Sequence, residues 1–431
     1  MAQWTISVEN SFPVSLVTMS TAPLSPITTA STPTSPWLLP NLLAQLALGL
    51  LVMTMSLPSM QEWGQLLHGS PAAVQLTFSA YLMSYGVFQL GYGPLSDRVG
   101  RQRTLLLGLS VVVVGSVWAV FATGLPMLIA ARAVQGAGCA AGMVVGRAMV
   151  QDLYQGPQRT RVMAYVGMVM GLCPPLATVI GGQLHVRLGW QANFALMAVM
   201  AAALWLAAWR GLPSHVKVDK AERHWFATML SSYALLARER AFLLFVVVLS
   251  MTSATFYAFL AAAPGVLGTF GVGPDGVGFY IMMVPLSYIA GNFLTSRLAH
   301  RNDDRVMMVW GQSFAAVGIA LMGLLALAGV ESPLAFAAPL MLMGLGNGLL
   351  VPPALAGTVG LLPALAGSAA AVTGLTQQLM GALGGFAVGL LPQANAKPLA
   401  GLMLLMAGIC AFAQWRLFRL PLPKLPGPVR Q

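Results

Sequence analysis

Nearly every charge in this chain stands between apolar runs and not inside them, and such runs recur about twelve times. Each is roughly 18 to 25 residues long, which is what an α-helix rising 1.5 Å per residue needs to cross a hydrocarbon core. They fall at 38–60, 72–95, 104–122, 125–146, 162–184, 190–209, 241–263, 277–298, 306–330, 334–357, 368–391 and 398–415. Composition points the same way. With 57% hydrophobic and 8% charged residues in 431, and a mean hydropathy of +0.77, the chain has too little polar surface to cover a water-soluble globule of its size. The expected fold is all-α and integral to a membrane, with twelve transmembrane helices in two six-helix halves.

The stretch from Gly91 to Arg103 (GYGPLSDRVGRQR) packs one acid and three arginines between two such runs. A knot of charge like this cannot rest in lipid, so it reads as a tight cytoplasmic turn. If every run crosses once, alternation assigns a side to each loop. Of the 22 Lys and Arg, 18 then share the side of that turn and only Arg187 and Lys397 oppose them, while Arg132 and Arg147 lie in or at the end of the fourth run. One missed crossing would invert every later loop, so the asymmetry supports the count and predicts that both termini are cytoplasmic. It also accounts for the net charge of +11 as charge facing anionic inner-leaflet lipid, with no nucleic acid required.

Residues 1–36 are rich in Ser, Thr and Pro, and are expected to form a disordered cytoplasmic tail. No basic stretch precedes a short apolar core there, so a cleaved signal peptide is not expected. The longest hydrophilic segment, 210–240, holds six cationic and three acidic residues and reads as a cytoplasmic linker. It separates one six-helix bundle, 37–209, from another, 241–418, and residues 419–431 form a C-terminal tail. Duplication is suggested by Gly91, Ser96 and Arg101, which recur 200 positions later as Gly291, Ser296 and Arg301 in the corresponding turn.

Within the turn, Gly91 and Gly93 are expected to let two helices approach closely and Gly100 to permit a sharp reversal. Asp97 offers a carboxylate to nearby arginines or to a helix N-terminus. Arg132 is the most constrained residue of all. A cation in mid-span costs roughly 2.5–3.5 kcal/mol on insertion scales, so it should face a cavity or a partner, with Gln135 and Gly136 close by. Gly167, Gly171, Pro174 and Pro175 bend the fifth run and flatten one of its faces. Gly138, Gly142 and Gly146 make another small-residue face that reads as plain packing. Tyr81, Tyr85, Phe88, Gln89 and Tyr92 share one side of the second helix and suit an amphiphilic guest. Thr252, Thr255, Phe256, Asn347, Gln377 and Gln378 are the matching candidates in the second half. The three cysteines, all inside apolar runs, read as small core residues with no metal or disulfide spacing.

The ordered G-x-x-x-L-S-D-R-x-G-R-x-R is more specific than a basic loop needs, and it resembles the loop motif of the major facilitator superfamily. Further stretches are similar to the Bcr/CflA group of drug-efflux transporters: Gln75 to Ser79 (QLTFS), Ala131 to Gly138 (ARAVQGAG), Arg147 to Tyr154 (RAMVQDLY), Gly182 to Trp190, and Leu362 to Gln378. The likeness runs from about residue 40 to 418. It implies that Arg132, Gln135 and Gly136 line a central cavity tied to proton coupling, that Gly167, Gly171 and Pro174 help a helix pivot, and that Gly91, Asp97, Arg98, Gly100 and Arg101 gate the conformational change. The spacing in the fifth helix departs from the family's G-x-x-x-G-P, since two residues separate Gly171 from Pro174.

A second departure matters more. The family's first helix usually carries a carboxylate about three positions before a Leu-Pro, and here Thr54 occupies that place ahead of Leu57-Pro58. None of the eleven acids lies in mid-span; Glu62, just past Pro58, is the nearest substitute. A cavity holding Arg132 without a facing acid would be electropositive and would favour neutral or anionic guests.

The resemblance implies an inner-membrane exporter of small organic compounds with protons as the coupling ion, expected to work as a monomer; together with the residues read above, its cavity is expected to be lined by Arg132, Gln135, Thr54, Tyr81, Tyr85, Gln89, Asn347 and Gln378. The alternative is a narrow metabolite exporter or an uncoupled facilitator. No cofactor or metal is expected, and neither H-E-x-x-H nor G-x-S-x-G is present to suggest an enzyme.

Overall fold

The computed structural model describes residues 36–214, 225–299, 301–362, 365–392 and 396–420. The two expected tails therefore fall almost wholly outside the described residues, as does the middle of the linker. The first half comprises α1 (Leu38–Met55), α2 (Met60–Leu66), α3 (Pro71–Val99), α4 (Arg101–Val120), α5 (Leu125–Leu153), α6 (Gly156–Leu188) and α7 (Gln191–Gly211). In the linker, α8 (Trp225–Arg238) is helical and seats Leu236 on Phe242, Val246 and Ala369. The second half comprises α9 (Arg240–Thr269), α10 (Pro274–Ile281), α11 (Met283–Leu298), α12 (Asp304–Leu327), α13 (Pro333–Ala337), α14 (Leu340–Gly360), α15 (Ala366–Gly389) and α16 (Ala396–Phe418).

These helices make twelve crossings. Ten are long and apolar enough to be membrane spans by length and composition alone, with α10–α11 and α13–α14 each acting as one. The other two are α3 and α15, of 29 and 24 residues, which are long enough but too polar for that criterion. They pack against each other, and this explains their polarity: a helix shielded by protein need not be apolar all round.

The first expected span is broken. Pro58 has no N–H to donate, and its ring crowds the carbonyl four residues back, so α1 stops at Met55. A tight turn follows, with Leu57 N–H donating to Thr54 O (3.1 Å) and Met60 N–H to Leu57 O (3.1 Å), before α2 begins.

Each half is built around the same close contact. A Cβ on Gly138 of α5 would stand 2.6 Å from the Gly108 carbonyl of α4, and one on Gly311 of α12 would stand 2.5 Å from the Gly346 carbonyl of α14. Backbone meets backbone in corresponding pairs of the two bundles, as duplication requires. Gly142 and Gly146 likewise press on Gln45 and Leu46 of α1, so the face they share with Gly138 is a packing face. The second-half copy Gly291 is wedged against α14, but Gly91 has nothing within 4 Å of its Cβ direction and Gly93 only a Val144 methyl at 3.9 Å. The expectation that Gly91 and Gly93 bring two helices together is thus corrected: α3 has already diverged from its neighbours at that depth.

The halves meet along α3–α15 and along α6 with α10 and α11. Their polar contacts lie at the end opposite the Gly100 turn, here called the distal end. Gln61 Nε2 donates to Pro264 O (2.6 Å) and Val272 O (3.1 Å), and Gln75 Nε2 donates to Ala261 O (2.7 Å). Gly182 sits on Pro274, and Gly278 on Val179, at the same level. Toward the Gly100 end, Gly91, Gly167 and Gly367 have no neighbour within 4 Å.

If the two glutamines clasp the distal end, Gln61→Leu with Gln75→Leu removes three hydrogen bonds worth about 1 kcal/mol each. The closed-to-open ratio should fall at least about tenfold. The readout is labelling of a cysteine placed at Val272 by a membrane-impermeant maleimide; an unchanged labelling rate would contradict the clasp.

Candidate functional site

Arg132 projects from α5 into the interior of the first bundle and is 1% exposed. A bare guanidinium could not stay there, and the local structure answers it with carbonyls. Nη1 donates to Val52 O (3.0 Å) and to Gln135 Oε1 (2.9 Å), and Nη2 donates to Met53 O (3.3 Å). The guanidinium also lies over the Tyr81 ring, 4.4 Å from its centroid. Those two carbonyls belong to the last turn of α1, where the break before Pro58 leaves helix acceptors without their usual donors. They carry the negative end of the helix dipole, equivalent to about half an elementary charge. Arg132 therefore has a broken helix end as its counter-charge, in a place where no carboxylate is available.

Gln135 locks the arrangement. It accepts from Arg132 through Oε1 and donates through Nε2 to Ser116 Oγ on α4 (2.8 Å), with Met197 Sδ of α7 at 3.7 Å. Tyr81, stacked beneath the guanidinium, donates to Gly49 O of α1 at 2.7 Å. Thr54 is fully buried, and its hydroxyl donates back to Leu50 O (2.8 Å) inside its own helix.

The eight residues expected to line a cavity thus fall into three groups. Thr54, Tyr81, Arg132 and Gln135 interlock α1, α3, α4 and α5 inside the first bundle. Tyr85, Gln89 and Gln378 stand on the two helices of the α3–α15 seam, where Gly86 meets Gln378 and Gly374 faces Gln89. Asn347 is buried on α14 within the second bundle. An electropositive cavity built on Arg132 is not what the fold provides, because its Nη1 and Nη2 groups are both engaged by protein acceptors.

At the Gly100 end, Arg101 gathers the ends of two helices. It pairs with Asp97 on α3, donates through Nε to Asp152 of α5 (3.1 Å) and through Nη1 to Ser96 Oγ (2.5 Å). Asp97 is half exposed, so that pair contributes no more than about 1 kcal/mol and can be exchanged readily. Gly100 has φ +100°, which side chains rarely tolerate, and this lets α4 start directly after α3. Arg98 is exposed at the end of α3. On α6, Gly171 faces Ile289 of α11 across the seam, while Gly167 is open. Pro174 and Pro175 lie inside the helix, and Thr178 donates to both of their carbonyls (3.0 and 2.8 Å).

Three features escape a reading by pattern. Asp152 was visible as the acid of R-A-M-V-Q-D-L-Y, but not as a partner of Arg101. Glu62 Oε2 lies 2.9 Å from Nε2 of the buried His185, a pair separated by 123 positions with no local signature. Tyr257 of α9, overlooked between Phe256 and Ala258, reaches the seam and packs edge-on to Phe78 of α3 at 6.1 Å.

With this geometry in view, the family model described as Major Facilitator Superfamily matches residues 42–385. The chain belongs to the major facilitator superfamily. Among its relatives in the superfamily, Multidrug resistance protein D of Escherichia coli (strain K12) is 30% identical over 382 residues, covering 88% of this chain and 94% of the relative. The Chloramphenicol resistance protein of Pseudomonas aeruginosa is 28% identical over 360 residues, covering 83% and 85%. In three dimensions the chain is similar to a D-xylose-proton symporter, with a TM-score of 0.71 at 14% identity, covering 91% of this chain and 100% of that one. At that identity the likeness concerns the fold alone. As a superfamily member the protein is a multi-pass membrane transporter and not an enzyme.

If Arg132 is the cap of α1, Arg132→Ala leaves two buried carbonyls and Gln135 without a donor, a loss of about 3 kcal/mol or more. The thermal midpoint of the purified protein should drop by on the order of 3–5 °C, and that of Gln135→Ala by less. A midpoint equal to wild type would remove the cap from the account.

Proposed function

We propose that the protein is a secondary exporter of small organic compounds, drugs and xenobiotics among them, in a bacterial inner membrane. The observation that carries this reading is the match along nearly the whole chain to a relative named for multidrug resistance, on a fold whose two halves share a seam. Rocking of one half on the other would open the seam alternately to the two sides. With the 18-to-2 distribution of Lys and Arg, the Gly100 end faces the cytoplasm together with both termini. Distal contacts between the halves then correspond to a conformation closed toward the outside. The bundles are taken as 37–209 and 241–418, joined by 210–240, and the working unit as one chain.

In this reading the Asp97–Arg101–Asp152 cluster steadies the cytoplasmic ends of α3, α4 and α5 in one conformation and is remade in the other. Gly167, Gly171 and Pro174 let α6 bend as its contact with α11 changes. Export driven by proton antiport is supported by the family resemblance. The second reading, an uncoupled facilitator, is favoured by one observation: Thr54 replaces the usual acid, and Glu62 lies beyond the break, paired with His185.

Everted vesicles distinguish the two. A proton antiporter should release protons to the medium when its substrate is added, and should lose accumulation on addition of an uncoupler; accumulation indifferent to the uncoupler would favour the facilitator. For the cluster, Asp97→Asn is expected to lower turnover several-fold with little change in substrate affinity. A variant that binds weakly but turns over normally would contradict the role given to Asp97.

A further inference from the structure

At mid-depth in the seam, polar oxygens stand without the donors that a buried site should supply. Tyr85 of α3 is 3% exposed, and its hydroxyl has no hydrogen-bond partner. Its ring stacks on Tyr81 at 5.9 Å, and its hydroxyl end lies against Gly49 of α1, beside Cys139 of α5. The adjacent Gly86 brings α15 so near that a Cβ there would stand 2.8 Å from that of Gln378. The Gln378 side chain is within hydrogen-bond reach of the Tyr257 hydroxyl on α9, yet its Oε1 is buried with no donor. The neighbouring Gln377 is different: its Oε1 accepts from Ser253 at 3.0 Å. At 1.5 Å per residue, Tyr85, Tyr257 and Gln378 all stand about 18–25 Å from the Gly100-side ends of their helices, near the middle of the crossing.

Such an oxygen costs about 1–3 kcal/mol in a low-dielectric interior, and the cost is relieved when an O–H or N–H group arrives, to which the Gln378 oxygen can only accept while the Tyr85 hydroxyl can accept or donate. The charges around the site are one-sided. The acids of the described helices stand at or near helix ends, as Glu62, Asp97, Asp152, Asp275 and Asp304 do. The arginines of α5 are Arg132, engaged with α1, and Arg147, exposed toward the Gly100 end and near enough to Tyr85 to act on it electrostatically. A cationic guest would find no carboxylate there to offset the loss of its hydration.

We propose that Tyr85, Tyr257 and Gln378 form a charge-free subsite that takes uncharged compounds bearing hydroxyl or amide N–H donors and turns away lipophilic cations. This names the substrate class of the proposed exporter and rests on that reading for the direction of transport, though not for binding.

Three probes separate the chemistry: chloramphenicol, which is uncharged with two hydroxyls and an amide N–H; its diacetate, in which both hydroxyl donors are blocked; and tetraphenylphosphonium, a cation with no donor. With the full chain in detergent, chloramphenicol should bind, the diacetate about tenfold more weakly or worse, and the cation not measurably at ten times the concentration. Tyr85→Phe should weaken chloramphenicol about tenfold while leaving the Tm of the empty protein unchanged or raised, because an unpartnered oxygen is removed. Gln378→Leu should weaken chloramphenicol similarly, with some loss of Tm because the Tyr257 hydroxyl loses its partner, and Gln378→Glu should admit the cation. Equal binding of the cation or the diacetate by wild type, absence of chloramphenicol binding, or unaltered binding by Tyr85→Phe would each overturn the subsite. Proteoliposomes keep the two claims apart. Binding without any net transport would strike the exporter reading alone, whereas export of the cation with no uncharged compound moved would strike the subsite alone.

Discussion

The interruption of the first membrane helix is the constraint around which the first bundle is organised. Pro58 ends α1 among buried residues, where loose carbonyls have no water to turn to. Arg132 supplies the donors, and in doing so solves its own problem of being charged and buried. Neither partner is tolerable alone. Together they fix the end of α1 against α5, and through Gln135, Ser116 and Tyr81 they extend that fixity to α4 and α3. An arginine is well suited to the task, since its fork reaches two carbonyls and a side-chain oxygen while its flat face covers an aromatic ring.

Among the described residues, the second bundle buries no such charged centre. Its helices are held by close backbone contact, as in the Gly311–Gly346 pair, and by apolar packing around α9 and α16. One half is thus pinned by a buried ion and a helix end, the other by shape. The seam between them is different again. Along α3 and α15, the two crossings too polar to count as spans by composition, it is polar without being charged. A surface that must part and rejoin is better made from modest hydrogen bonds than from a desolvated ion pair, whose rupture would strand a charge in lipid.

Much of this was legible in the residues. Twelve crossings followed from run length and from the lopsided placement of Lys and Arg, because both obey the bilayer and not the tertiary fold. Gly100 was legible because a reversal without a loop needs a residue free to take positive φ. The break after Met55 was not read, although Leu57-Pro58 was in plain sight, since run length alone cannot tell a continuous helix from a kinked one. Arg132 was rightly marked as needing a partner, but the partner is backbone, which sequence does not distinguish from position to position. Gly91 was read as a packing residue and is not one: a glycine's neighbours depend on where helices diverge. Glu62 and His185 meet only because α2 folds over the end of α6, a long-range event with no periodic trace.

The distal clasp is made of carboxamides donating to backbone oxygens. Neither group titrates in any physiological range, and neither attracts a counter-ion, so the acidity and salinity of the solution bathing that end should leave its hold unaltered.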